Sequence, residues 1–322
     1  MFWLAAALSI WLLPGRHLIL TEIAILALFA LSLDLILGYA GIISLGHAAF
    51  FGFGAYVAGL LAKHGIITEP VLALLAAGFA AMLLGLLTSL LVLRGSDLTR
   101  IMVTLGVALV LREIANRYSG LTGGADGLQG VTMQPVLGRF RFDMFGHTGY
   151  VYCLVVLFVL FLVARRIVAS PFGLSLRAIK LNPLRASAVG IPVNRRLVAV
   201  YAIAAAYAGV AGALLTQTTA FASLDVFSFD RSADLLLVLV IGGTGYLYGG
   251  LVGAIVFKVM QDYLSSLTPQ YWPFWIGLLL VVMVLVGRDR VSGFTAPVRR
   301  LLDRLDWRTR AARGTPATEA GP

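Results

Sequence analysis

The sequence has little of what most enzymes use for chemistry. It contains a single cysteine, Cys153, which excludes a disulfide within the chain and argues against a cysteine-based metal cluster. Neither a G-x-S-x-G nor an H-E-x-x-H motif occurs. None of the three lysines follows a glycine-rich loop, as the lysine of a Walker A motif must. The chain is therefore predicted to bind no cofactor and to hydrolyse no ATP itself.

Charge is also scarce, and apolar residues take its place. Charged residues make up 12% of the 322 residues, about half the share of an ordinary globular domain, whereas 60% are hydrophobic. Several apolar runs approach the roughly 20 residues needed to cross a hydrocarbon core of about 30 Å. The predicted spans are residues 2–13, 18–37, 42–62, 71–93, 98–111, 150–164, 197–218, 232–241, 249–263 and 272–286. The sequence thus predicts an all-α polytopic membrane protein with eight to ten transmembrane helices.

The first run is interpreted as a retained helix rather than a signal peptide. No positive residue precedes it beyond the amino terminus, and Pro14-Gly15-Arg16 follows it where a small-residue cleavage site is required. We therefore predict one transmembrane domain over residues 1–290, followed by a separate tail over residues 291–322.

One stretch, residues 165–196, lacks acids altogether and carries seven Lys or Arg. We call it the basic loop. A short positive loop between apolar spans stays on the cytoplasmic side of the membrane. This orientation puts residues 112–149 outside and both termini inside, in a bacterial-type inner membrane.

The basic loop contains the start and stop signals of two short helices. Ser170-Pro171 and Asn182-Pro183 each place a capping side chain before a proline, which is typical of the first residues of a helix. Gly190 can end the second helix. We expect two short helices at the membrane surface, in contact with another protein in the cytoplasm.

The net charge of +10 does not require a nucleic-acid partner, because the basic residues concentrate in the basic loop and after Gly287. Anionic lipid and a cytoplasmic protein explain them better. The tail has apolar residues at helical spacing among arginines, which predicts a cytoplasmic amphipathic helix at the lipid interface, or else a solvated helix. The pattern consists of Val298, Leu301, Leu302 and Leu305 with Arg299, Arg300, Arg304 and Arg308. The last residues are predicted to be disordered.

Glycines concentrate in two apolar segments, residues 38–56 and 242–254. Broken backbone at membrane depth is tolerated where it is buried in protein or lines a cavity, so both segments are candidates for the centre of the helix bundle. The alternative is close helix packing through small residues, which we prefer for Ala205, Gly209 and Ala213.

Four ionisable residues, Glu22, Asp34, His47 and Lys258, lie in or near the predicted spans. Such residues are costly in a membrane and often functional. Glu22 and Asp34 can equally face the interface or a partner helix. For His47, a hydrogen-bonded structural role is preferred over a ligand or proton carrier, with Ser44 one turn back.

Five segments together resemble the permeases of ABC importers for branched-chain amino acids, the LivM-like family. They are SLGHAAFFGFGAY (44–56), LTGGADGL (121–128), SPFGLSLRAIKLNPLRASAVGIPVN (170–194), AGVAGALL (208–215) and IGGTGYLYGGLVGA (241–254). The resemblance spans about residues 30–290 and implies that residues 1–290 form the permease domain and the basic loop is its ATPase-coupling loop. The family usually has an acidic or polar residue around Asn182 to Ala186, where this chain has Pro183-Leu184-Arg185.

The resemblance implies an importer that works by alternating access, with a translocation pathway near the two glycine-rich segments. The pathway candidates are Gly41, Ser44, Gly46, His47, Gly52, Gly54, Gly242, Gly243 and Gly245. Its partners would be two cytoplasmic ATP-binding subunits, which hold ATP and magnesium, a second permease that is related but different, and an external substrate-binding protein. Related permeases serve urea and amide importers, which is the alternative substrate class. An ion-coupled carrier using Glu22 or Asp34, or a channel, are the rivals from other classes. The residues implied to dock into the ATPase are Phe172, Gly173, Arg177, Ala178, Ile179, Asn182, Ala186 and Gly190.

Overall fold

The computed structural model describes residues 2–12, 15–95, 97–136, 138–140, 146–267, 269–271, 274–278 and 281. These residues are mainly helical, and the only β-pairing among them is two isolated bridges. The α-helices are α1 (Phe2–Leu12), α2 (His17–Leu37), α3 (Ala48–Lys63), α4 (Pro70–Val92), α5 (Asp97–Arg117), α6 (Ser119–Thr122), α7 (His147–Ala169), α8 (Pro171–Leu181), α9 (Pro183–Ala188), α10 (Val193–Thr219), α11 (Phe229–Gly242) and α12 (Leu247–Leu267). The predicted all-α polytopic fold is confirmed.

The chain divides into two compact units, residues 1–259 and 260–322. The first contains every helix from α1 to α11 and the first part of α12. The predicted boundary at residue 290 and the predicted amphipathic tail lie outside the described residues, as does most of the predicted span 272–286.

Helix α10 forms the centre of the first unit and packs against α2, α3 and α4. Its small residues allow this close approach. A Cβ added at Gly212 would overlap the carbonyl oxygen of Phe51 on α3, and one at Gly209 would overlap Ala81 on α4. Close packing through small residues, the interpretation preferred for this part of α10, is confirmed.

Side-chain hydrogen bonds fix α10 to its neighbours. Gln217 Nε2 donates to the carbonyl oxygen of Pro70 at 2.8 Å, where α4 begins. The hydroxyl of Tyr207 donates to the carbonyl oxygen of Leu160 on α7 at 3.0 Å. Each bond satisfies a polar group that would be costly to bury alone, so these contacts specify how α10 meets α4 and α7.

Fewer helices reach membrane-spanning length than the sequence predicts. Among the described residues, α2, α4, α7 and α10 are long and apolar enough to cross a membrane, and α11 with α12 adds a fifth if the pair is one broken span. The predicted count of eight to ten is higher because it includes shorter or interrupted runs. Helix α1 has 11 residues, α3 has 16, and charged residues occur near both ends of α5.

The two glycine-rich segments interrupt helices, as expected. The predicted span 42–62 is wrong at its start, because residues 38–47 form a turn and loop and α3 begins only at Ala48. Helices α11 and α12 are bent by 113° at the short break between them. Gly243 and Gly245 in this break have φ values of +88° and +83°, which favour glycine.

Ala220, directly after α10, has a left-handed backbone with φ of 54°, the only such non-glycine residue described. This conformation strains a residue that has a Cβ. We expect Ala220→Gly to raise the melting temperature of the detergent-purified protein, with a stabilisation of about 1 kcal/mol. Ala220→Val should lower it, since β-branched residues tolerate positive φ worst. Equal melting temperatures for the two variants would contradict the strain.

Candidate functional site

The basic loop folds into the two short helices that its sequence predicts. Ser170 Oγ accepts from the backbone N–H of Gly173 at 3.5 Å where α8 begins. Asn182 Oδ1 accepts from the backbone N–H of Arg185 at 3.0 Å where α9 begins. Gly190, two residues after α9, has a φ of +89°. The local capping signals therefore determine where both helices start and stop.

One side of α8 is held against the chain itself, where α8 packs on α7 and α10. Gly173 is buried so tightly that a Cβ there would overlap the backbone of Val168. Ile179 is buried as well, and the guanidinium of Arg196 lies 5.3 Å from the ring centre of Phe172. These contacts fix the position of α8 on the bundle.

The other side of the basic loop exposes apolar side chains among basic ones. Leu181, Leu184 and Val189 are 87%, 82% and 83% exposed, and Leu174 is also exposed. The neighbouring side chains of Arg177 and Arg185 are exposed too. Exposed apolar patches of this kind mark protein–protein or membrane interaction sites.

The eight residues implied by the resemblance are divided between the buried side and the exposed side of the basic loop. Gly173, Ile179 and Ala186 are buried in the chain, Phe172, Ala178 and Asn182 are half-buried, and Arg177 and Gly190 are exposed. The exposed leucines and Val189 were not among the predicted residues. The sequence signal that could have identified them is an apolar residue at positions where a helix on the surface is expected to carry polar residues.

Beside α9 lies an open groove of about 460 Å³. It is formed where α9 turns into α10, so its walls belong to the end of the basic loop. The lining residues are Pro183, Ser187, Ile191, Pro192, Val193, Asn194 and Arg195. The exposed surface of the basic loop therefore includes a concave region next to α9.

The basic loop is joined to the end of α2 by two basic side chains. Lys180 Nζ donates to the carbonyl oxygen of Gly38 at 2.7 Å. The guanidinium of Arg177 lies 5.2 Å from the ring centre of Tyr39. Gly41 has a φ of +76°, and a Cβ there would lie 3.1 Å from Cγ of Lys180. The turn after α2 therefore fits closely around the side chain of Lys180.

The same turn is joined to the break between α11 and α12. Asp34 Oδ1 accepts from the backbone N–H of Gly245 at 2.7 Å, and Asp34 is fully buried. A Cβ at Gly38 would lie 2.6 Å from that nitrogen, so only glycine fits. We call the set of Asp34, Gly38, Tyr39, Lys180 and Gly245 the junction. It connects the basic loop, α2 and the α11–α12 break.

Tyr39 strengthens the junction. Its hydroxyl lies within hydrogen-bonding reach of the Arg177 side chain and the backbone of Leu247, where α12 begins. Burial, with a smaller contribution from the charge of Asp34, raises the pKa of Tyr39 to about 12. Arg177 and the backbone of Leu247 oppose this shift, which is the effect of groups that donate to the hydroxyl oxygen.

The pathway candidates on the α2–α3 side are enclosed by the chain. His47 is fully buried, and its Nε2 lies 2.9 Å from Ser32 Oγ, a geometry that agrees with the expected hydrogen-bonded histidine and has Ser32 as the partner. A Cβ at Gly46, Gly52 or Gly54 would overlap Thr104, Phe227 or Gly209, respectively. Ser44 is fully buried as well.

The remaining candidates lie at the α11–α12 break. Gly242 packs against Gly249, whereas a Cβ at Gly243 would meet open space. Of the nine candidates, Gly245 belongs to the junction and Gly41 lies against its Lys180 side chain. Within the part of the chain that the structure describes, no group of three or more His, Cys, Asp or Glu side chains is placed to hold a metal ion.

Comparison with known proteins gives a family. A family model described as "Branched-chain amino acid transport system / permease component" matches residues 16–286. The chain is 26% identical to the high-affinity branched-chain amino acid transport system permease protein LivM of Escherichia coli (strain K12), over 92% of this chain and 75% of the relative. It is also 26% identical to the probable branched-chain amino acid transport permease protein LivH of Methanocaldococcus jannaschii, over 75% of this chain and 77% of the relative.

A further relative is the ribose import permease protein RbsC of Bacillus subtilis (strain 168), which is 27% identical over 84% of each chain. No solved structure matches the chain.

Proposed function

We infer the function of this chain from its family: it belongs to the permease components of branched-chain amino acid transport systems. We propose that it is a transmembrane permease subunit of an ATP-driven importer for branched-chain or related amino acids. Methanocaldococcus jannaschii has relatives of this chain under both names, LivH and LivM, which supports a pair of related but different permeases. An external binding protein would deliver the substrate.

The observation that carries the proposal is the double-sided basic loop. Its outer side offers Leu181, Leu184 and Val189 together with basic residues, and its inner side ends in the Lys180 bond to Gly38. A surface of this kind suits a cytoplasmic partner that binds ATP with magnesium and hydrolyses the ATP. Two such partners would serve the two permeases. We place the basic loop in the cytoplasm by the positive-inside rule, and both termini on the same side by an even number of crossings.

The junction gives a route for the motion. When an ATP-binding partner moves α8 and α9, Lys180 and Arg177 move with α8 and displace the turn after α2. Asp34 transmits that displacement to Gly245, where the backbone has no side chain to resist rotation. Helices α11 and α12 meet at this point at 113°, so a small rotation in the break changes the angle between them. Alternating access would follow from that change.

The exposed leucines provide the test. In a complex co-expressed with its ATP-binding subunits, second permease and binding protein, we expect Leu181→Asp with Leu184→Asp to weaken ATPase binding roughly tenfold or more, because two anchor side chains are lost. Co-purification of the ATPase and substrate-stimulated ATP hydrolysis are the measurements.

The matched control is Ile66→Asp, which places the same charge at an apolar position that is 69% exposed but lies between α3 and α4. That variant should keep the ATPase bound. If the double variant also co-purifies with the ATPase and hydrolyses ATP at the wild-type rate, the docking assignment is refuted and the rival of an ion-coupled carrier gains ground.

A further inference from the structure

An ion pair joins two apolar helices far from the junction. Lys258 Nζ lies 2.5 Å from Glu22 Oε2. Lys258 is in the middle of α12, and Glu22 is in the first part of α2. Charged side chains in such helices are costly and are retained where they pair or face water.

A third charged residue approaches the pair from α11. Asp234 is one turn before Val238, whose carbonyl oxygen lies against Gly253 of α12, and the charges of Arg231, Asp230 and Lys258 act on its carboxylate in that order of strength. We call Glu22, Asp234 and Lys258 the ionic cluster. It draws one residue from each of three helices, and the guanidinium of Arg231 is a second cation beside the carboxylate of Asp234. The Lys258–Glu22 contact therefore leaves a second carboxylate beside Lys258.

The ionic cluster is open on one side. The side chain of Glu22 is 52% exposed and that of Lys258 is 22% exposed. An ion pair at the side of an apolar helix cannot face lipid without a large desolvation cost, so its open side must meet water or another protein. Ile255, one turn before Lys258, is also exposed and offers an apolar contact beside the charges.

The ionic cluster lies at the opposite part of α2 from the junction. Twelve residues separate Glu22 from Asp34, which corresponds to about 18 Å along an α-helix. The two polar positions are thus at different depths of the same buried helix. In the proposed orientation, the ionic cluster is on the half nearer the outside, where substrate arrives.

We propose that the ionic cluster binds the charged backbone of an α-amino acid, which names the contact residues of the function proposed above and rests on it. The carboxylates of Glu22 and Asp234 accept from the α-ammonium group, and Lys258 donates to the α-carboxylate. Ile255 contacts the aliphatic side chain. A zwitterion can replace the Lys258–Glu22 contact and leave every charge partnered, so binding buries no unpaired ion.

Ligands that lack one charge test this assignment. The whole complex, assembled in nanodiscs without the binding protein, is titrated with radiolabelled leucine. The competitors are isocaproate, which has no ammonium group, and isoamylamine, which has no carboxylate. Lys258→Gln is expected to weaken leucine roughly tenfold or more and to leave isoamylamine unchanged. Glu22→Gln and Asp234→Asn are expected to weaken leucine and isoamylamine and to leave isocaproate unchanged.

Two neutralised charges elsewhere serve as matched controls. Lys63→Gln and Glu113→Gln change exposed residues of α3 and α5 and should leave all three affinities unchanged. Absence of leucine binding to the wild-type complex, or the same fold-change for all three compounds in a cluster variant, would overturn the site. Equal changes would mean that the ion pair only holds α2 to α12.

An exchange variant covers the case in which single variants fail to assemble. Glu22→Lys with Lys258→Glu keeps the ion pair. A purely structural pair predicts wild-type leucine affinity in this variant, whereas the binding site predicts reduced affinity because Asp234 then lies beside a second carboxylate. The proposed function is judged separately, by whether the loaded binding protein stimulates ATP hydrolysis in the wild-type complex. The site can fail while that stimulation remains.

Discussion

Replacing Asp34 by alanine is expected to lower transport roughly ten- to a hundredfold, because the partly buried N–H of Gly245 would lose its acceptor, at a cost of about 1–3 kcal/mol. A movement of the C-terminal end of α2 would then no longer be transmitted to the α11–α12 break. Binding of the ATPase should persist, since the exposed side of the basic loop is unchanged. Uptake into proteoliposomes and co-purification of the ATPase are measured on the same preparation.

Asp34→Asn is the matched control for that variant. The asparagine side chain keeps an oxygen that can accept from Gly245, so transport should fall much less than in Asp34→Ala. Comparable losses in the two variants would show that the negative charge of Asp34, rather than its hydrogen bond to the break, matters for transport. That result would contradict the mechanical role given to the junction.

Gly212→Ala is expected to have the largest effect on stability. The new Cβ would overlap the carbonyl oxygen of Phe51, and backbone on α3 cannot rotate away as a side chain can. Helices α3 and α10 would have to separate, at a cost of about 3 kcal/mol or more for overpacking a tight contact. A lower melting temperature in detergent and a lower yield of folded protein are the readouts.

Gly106→Ala makes the same chemical change on α5, where a Cβ meets nothing within 4 Å. Alanine is favoured over glycine in a helix by about 1 kcal/mol, so this control should be neutral or slightly stabilised. If both alanines lowered the melting temperature equally, the contact between α3 and α10 would not be the close backbone approach described above.

The basic loop was predictable because its signals are local. Ser170 and Asn182 cap helices that begin at the next residue, and each capping bond reaches only three residues along the chain. The junction was not predictable, since the Lys180 contact joins residues that are 142 positions apart. Lys180 is one of seven basic residues in the basic loop, and nothing in the sequence distinguishes it from the others.

The errors in the sequence prediction have a physical pattern. Hydropathy counts glycine-rich turns as apolar, so the run from residue 42 was assigned to a helix that begins at Ala48. For the same reason the expected neighbour of His47 was Ser44, although no helical turn joins them. The actual partner, Ser32, comes from the preceding helix. Burial against another helix is a tertiary property that a single sequence does not encode locally.

Helix α2 carries Glu22 and Asp34 on one uninterrupted rod, most of which is buried. An α-helix hardly changes length. Any displacement of the C-terminal end of α2 by Lys180 therefore reaches Glu22 as a translation or tilt of the whole helix. Thermodynamic linkage makes that connection reciprocal. If engagement of the ATPase weakens the hold of the ionic cluster on an amino acid by some factor, occupation of the cluster must weaken engagement of the ATPase by the same factor.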